Sequence, residues 1–352
     1  MPNDDRPLKR ARLSEIDSTS HISEPASSTI TFEPHDEFWL PDGNIILVAR
    51  NTAFRVYRAL IAAQSTVFED MFTVSTSNSD ELFEGCSVVH LSDSPEDLAH
   101  LFRILLPKSQ RQYHSTERRT FNEVSAVIRL AHKYHIQDVQ DQALASLQES
   151  TLSPHFSDWY KSATLTSFKG LNQVIGVVNL ARLTDSPALL PGALYICSHL
   201  GGKLVDGWER EDGTIEMLSV DDLRRCLDGY CVLARETTLL PARVFATTRV
   251  EGCNTPARCQ LSRQWELVNI LSSKVTTLQR RALASWQKAI EAMAREEETS
   301  DTKICGACEK DLLKRDRRER WLLWKRLPDI FAITVEGWGV GTEDESEGEV
   351  NV

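Results

Sequence analysis

The strongest constraint on the fold is a continuous apolar run of strand length, Asn44-Ile45-Ile46-Leu47-Val48-Ala49, because a turn and a second strand pattern come directly after it. The turn candidate Arg50-Asn51-Thr52 leads into the alternating Phe54-Arg55-Val56-Tyr57, and the three segments together predict a β-hairpin. Leu60, Ile61 and Ala63 then belong to a short helix, and Ser65 can cap a second one that carries Glu69 and Asp70 beside its positive end. Ser87-Val88-Val89-His90-Leu91 predicts another strand. In Ser94-Pro95-Glu96-Asp97, Ser sits at the N-cap, Pro at the first helical position and an acid at the third, which predicts a helix through Leu105. Phe121, Val124, Val127, Ile128, Ala131 and Tyr134 recur at helical spacing. A second phase begins with Val139, Ala143 and Leu147, so a break is expected near Ile136.

This order of elements, over residues 36–150, resembles the BTB/POZ domain. The family pattern has a Phe three residues before a His, then Leu-Ala-x-x-Ser-x-x-Phe-x-x-Met-Phe. Here it is matched by Phe54-Arg55-Val56-Tyr57 and Leu60-Ile61-Ala62-Ala63-Gln64-Ser65-Thr66-Val67-Phe68-Glu69-Asp70-Met71-Phe72. Val89-His90-Leu91-Ser92-Asp93-Ser94-Pro95 and Ala131-His132-Lys133-Tyr134-His135-Ile136 are similar to the fungal branch of the family. Tyr57 stands where many members have His, so no role for a buried Asp–His pair carries over. The resemblance implies a short sheet with a helical cluster at the amino terminus, and with the helical periodicity of the later residues the chain reads as α+β, a BTB/POZ fold followed by a mostly α-helical domain. The resemblance also implies a domain that self-associates, with a homodimer as the expected assembly, and that recruits protein partners, as a cullin ubiquitin-ligase adaptor or in transcriptional complexes. Phe38, Trp39 and Leu40, large apolar residues just before the first strand, are the expected oligomer interface.

Composition narrows the function classes. A chain of 352 residues is long enough for about two domains, which excludes a small disulfide scaffold. The net charge of −11 repels nucleic acid unless a basic patch is segregated from the rest. Residues 1–35, rich in Ser, Thr, Asp, Glu and Pro without periodic apolar positions, are expected to be a disordered tail. Within them Lys9, Arg10 and Arg12 form a short basic cluster of the kind nuclear import receptors bind, so nucleus or cytoplasm is the expected location. Residues 341–352, with Glu343 to Glu349, form an acidic tail. No stretch has the apolar character of a secretion signal or a bilayer span, so a soluble, unsecreted protein is expected. Eight cysteines without any Asn-x-Ser/Thr sequon suit a reducing compartment, where thiols stay free or bind metal.

Residues 151–340 show helical periodicity, punctuated at Pro187, Pro191, Gly201-Gly202, Gly213, Pro241 and Gly252. The longest predicted element runs from Ser262 to about Glu298, on a stripe of Val268, Leu271, Val275, Leu278, Ala282, Trp286, Ala289 and Met293. Cys305-Gly306-Ala307-Cys308 is the one strong local motif. Such a pair chelates zinc through two thiolates, or cycles between dithiol and disulfide when it follows a strand. Cys253 and Cys259 can complete a tetrathiolate zinc site with Cys305 and Cys308. A straight intervening helix of roughly 36 residues would hold the two pairs about 54 Å apart, so the site requires a bend at Ser272-Ser273.

No Gly-x-Ser-x-Gly, P-loop, His-Glu-x-x-His or dinucleotide fingerprint occurs, and no catalytic residue is assigned. His132 and His135 lack a third ligand in their motif and are set aside. The reading is therefore a non-enzymatic protein-interaction module. Its rival is a zinc-dependent nucleic-acid binder using Cys305, Cys308 and the basic run Lys314-Arg315-Asp316-Arg317-Arg318-Glu319-Arg320, although interleaved acids favour a solvated helix face. A redox role for the cysteine pair ranks third.

Overall fold

The computed structural model describes residues 31–78, 81–106, 119–150, 152, 154–157, 168–272, 281–295 and 302–339. Lys9, Arg10, Arg12 and the acidic tail lie outside them. The predicted hairpin is β2 (Ile45–Ala49) and β3 (Thr52–Val56), antiparallel, with Arg50 turning the chain at φ 51°. β1 (Glu33–Trp39) pairs with β3 in parallel, β5 (Cys86–Leu91) pairs with β2 in parallel, and β4 (Leu82–Phe83) closes the edge, giving the order β1-β3-β2-β5-β4. Every residue of β2 is buried because the strand is central and both sheet faces are covered, which accounts for the absence of polar alternation in Ile45–Ala49. Strand β1 starts at Glu33, inside the segment expected to be tail. That correction arises because β1 borrows its hydrogen bonds from β3, with no apolar periodicity of its own in its first five residues.

One face of the sheet carries the helices α1 (Arg58–Ala62), α2 (Thr66–Asn78), α3 (Pro95–Leu105), α4 (Phe121–Lys133) and α5 (Gln137–Ser150). Their starts are built locally. Ser94 accepts from the Asp97 N–H at 3.1 Å, and Thr120 and Glu123 form a reciprocal capping box. The motif residues also tie distant helices together. Ser65 Oγ accepts from the Phe68 N–H and donates to the Tyr134 carbonyl at 2.6 Å, while the Tyr134 ring stacks on Phe68 at 4.0 Å. Tyr134 Oη donates to Asp93, which also accepts from Lys133 Nζ at 2.6 Å. Burial, with Asp93 alongside, raises the Tyr134 pKa and keeps its proton in place. Tyr57 Oη donates to Asp42 at 2.6 Å.

Among the described residues the carboxyl-terminal region is helical apart from a short hairpin, β6 (Trp208–Glu209) with β7 (Ile215–Glu216), which turns at Gly213. Helices α6 (Val174–Leu183) and α7 (Leu190–Ser198) are its apolar centre, followed by the short α8 (Lys203–Asp206). The hairpin is the seam between the two regions. Trp208 packs on Phe121 at 5.1 Å between ring centres, Arg210 pairs with Asp97, and Arg129 pairs with Glu216. Burial raises the Asp97 pKa even against the Arg210 guanidinium.

Helix α9 (Val220–Val244) runs through Pro241, where a break was expected, because the proline falls in its last turn and few bonds follow it. The single helix expected from Ser262 to about Glu298 is two: α10 (Pro256–Ser272) and α11 (Gln287–Arg295). Its stripe is not one face. Val268 and Leu271 are 56% and 51% exposed, whereas Ala282 and Met293 are buried. The physical reason is an anchored turn: Ser285 Oγ and the Trp286 N–H both donate to Asp316, which breaks the helical phase. Asp316 lies on α12 (Gly306–Lys325), itself followed by α13 (Leu327–Ile330). No helix among the described residues is long and apolar enough to cross a membrane.

Candidate metal centre and interaction surface

Two chain segments meet at the cysteines. Gly252, at φ 74°, turns the chain ahead of α10, and Cys253 stands in that turn. Cys259 lies in the first turn of α10, where Thr255 Oγ1 reaches its sulfur at 3.2 Å. Cys305 is the extended N-cap residue of α12, and Cys308 follows within its first turn, so the Cys-x-x-Cys spacing brings both sulfurs to the same end of the helix. All four Sγ atoms lie within 4.8 Å of one another; Cys253 Sγ is 3.7 Å from Cys305 Sγ and 3.6 Å from Cys308 Sγ. Cys259 and Cys308 are buried, and Cys253 and Cys305 are half-buried.

The bend expected at Ser272-Ser273 falls at the edge of residues 273–280, which lie outside the described residues; beyond them the chain runs through α11 toward Ile304, whose N–H donates to the Met293 carbonyl at 3.2 Å. The sulfurs sit in unequal fields. Burial opposes the Cys305 thiolate, yet N–H groups of Cys308 and Asn254 and the Cys253 thiol bring its pKa down to about 6. Burial and the neighbouring sulfurs raise Cys308. Arg263 braces the site in a way sequence reasoning missed. Buried on α10, it donates to the carbonyls of Cys259 at 3.3 Å, Ala246 at 2.9 Å and Thr248 at 3.1 Å. Its only signal in the sequence was its place one helical turn after Cys259.

The basic run on α12 is largely occupied within the chain. Arg315 donates to the Ala246 carbonyl at 3.0 Å and pairs with Asp311 at 2.7 Å. Arg320 and Asp316 form a buried pair at 2.6 Å, and Glu319 pairs with Arg243 at 2.7 Å. His132 reaches Gln140 at 3.2 Å, and His135 turns the chain at φ 54°.

The three residues expected at an oligomer interface divide between the two sheet faces, because neighbouring strand residues point in opposite directions. Phe38 and Leu40 are 3% and 4% exposed in this chain's own core, with Phe38 edge-on to Phe102 at 5.8 Å. They are not a cluster awaiting a partner. Trp39 is half-buried on the opposite face beside Phe32 and Phe83, at 6.2 and 6.3 Å between ring centres, and these aromatics cover Ile46, Val48, Ala53 and Val88.

No curated protein matches the chain. A family model, described as the BTB/POZ domain, matches residues 42–151, from the turn before β2 to the end of α5. The sheet flanked by five helices at the amino-terminal end of the described chain is a BTB/POZ domain.

Proposed function

We propose that this chain is a non-catalytic protein-interaction module, whose BTB domain self-associates and recruits protein partners as an adaptor or scaffold in ubiquitin-ligase or transcriptional assemblies. The observation that carries the reading is the BTB fold over residues 42–151. The half-buried aromatic edge of Phe32, Trp39 and Phe83 is the surface best suited to apolar contact with a second copy. The internal pairing of Arg315 and Arg320 favours this reading over a phosphate-binding track. The carboxyl-terminal region belongs to the same module as a metal-fastened companion, on the strength of the four-cysteine cluster.

Light scattering on the full chain at micromolar concentration tests self-association. A dimer or larger closed oligomer is expected, and Trp39→Ser is expected to shift the population toward monomer while the circular dichroism spectrum holds. A monomeric wild-type chain removes the self-association claim. Affinity purification with mass spectrometry then reads whether a cullin or transcriptional subunits co-purify.

A further inference from the structure

Resting on the reading of the cluster as metal-binding, we propose that Cys253, Cys259, Cys305 and Cys308 hold one Zn2+ as a closed tetrathiolate with no open position, and that this ion fastens α10 and the turn before it to the start of α12.

The geometry carries the first half. A tetrahedron with metal–sulfur bonds of about 2.3 Å has sulfur–sulfur edges of about 3.8 Å. The distances from Cys253 Sγ to Cys305 Sγ and Cys308 Sγ, 3.7 Å and 3.6 Å, fall close to that edge, and no pair of the four exceeds 4.8 Å, so each remaining edge is at most about 1 Å too long for a metal. A disulfide would need one sulfur pair at about 2.05 Å, far below either. Four sulfur donors select a soft or borderline ion over Mg2+ or Ca2+. Backbone N–H groups already point at the sulfurs. Cys305 N–H lies 3.3 Å from Cys259 Sγ, Asn254 and Cys308 N–H groups face Cys305 Sγ, and the Thr255 N–H faces Cys253 Sγ. These are the donors that spread the negative charge left after each thiol yields its proton to solvent on binding.

Position in the chain carries the second half. Cys259 and Cys305 stand 46 residues apart, and everything between them, α10 and α11 included, is an excursion whose two ends the ion would join. Outside the cysteines, α10 is held by few buried side chains: Ser262, Arg263 and Ile270. Leu261, Trp265 and Val268 face solvent at 62%, 59% and 56% exposure. A helix with so small a buried face depends on cross-links at its start.

The test uses full-length protein purified without chelator or metal-affinity resin. Elemental analysis is expected to find one zinc per chain, and Co2+ exchanged into the site is expected to give the intense visible bands of four-sulfur tetrahedral coordination. Cys308→Ser should lose the zinc and lower Tm by about 10 °C or more. Cys231→Ser, an exposed cysteine elsewhere, should keep both. Because Cys308→Ser could simply fail to fold, the wild type is also compared with and without chelator by hydrogen exchange. Faster exchange confined to residues 246–272 and 302–312, with β2 and β5 unchanged, is the expected result. Metal-free protein that is otherwise folded overturns the metal reading itself. Iron in place of zinc, a Co2+ spectrum with oxygen ligation, or zinc removal without local exchange would each overturn the closed zinc fastening while leaving a metal-binding cluster standing.

Discussion

The BTB domain and the carboxyl-terminal helical region bury their polar groups in different ways. In the BTB domain the buried hydroxyls of Ser65 and Ser94 cap the helices they precede, bonding N–H groups three residues away, with Ser65 also reaching the Tyr134 carbonyl, and the interior is a cluster of edge-on rings such as Phe38, Phe54 and Phe102. In the helical region the buried polar groups reach across the chain. Asp316, 2% exposed, receives Arg320 from its own helix and Ser285 and Trp286 from a turn some thirty residues earlier. Arg263 holds carbonyls fifteen and seventeen residues before it. Capped helices around an apolar core are specified locally. A region joined by buried charges and sulfurs owes its shape to partners that no local pattern announces.

Three substitutions test this contrast. The largest effect is expected at Asp316. Asp316→Ala removes the carboxylate from the buried Arg320 and should cost about 3–5 kcal/mol, comparable to deleting a core ring of the BTB domain. Urea unfolding monitored by tryptophan fluorescence measures it, and a loss below about 1 kcal/mol would show that the charged staple is incidental. Next is Gly229, where α9 passes the Phe331 ring so closely that an added Cβ would lie 2.4 Å from Cε1. Gly229→Ala should cost about 1–3 kcal/mol by overpacking. If the melting curve instead shows one small uniform shift, the helical region is softer than its close-packed interior implies. Thr120→Ala probes the BTB side. Losing the capping box of α4 should cost about 1 kcal/mol without altering the cooperativity of unfolding, as expected of an interaction confined to one helix start. A loss several times larger would mean that this cap carries a tertiary contact, as the Ser65 cap does through Tyr134.

Much of the BTB domain was legible. The hairpin, the Ser94 helix start and the break at Ile136 all depend on interactions within a few residues, so their patterns survive in one dimension. β1 was not legible, because its bonds come from β3 and its first residues are exposed. Nor was the division of Phe38, Trp39 and Leu40 between core and opposite face, since three adjacent apolar residues do not reveal which of them points inward.

The four cysteines lie on the border between the two cases. Cys305-x-x-Cys308 is a local motif, and Cys253 and Cys259 were joined to it as one candidate site on residue type, with no motif of their own. Whether the pairs meet was a question of tertiary structure. It depends on a bend between α10 and α11 that Asp316, far along the chain on α12, secures through Ser285 and Trp286, and on Ile290, Met293 and Ile304 being buried so that the returning stretch of chain lies beside α12. Residue order alone determines which groups are available for a contact. The distance between groups 46 residues apart is set by the free energy of packing everything that lies between them.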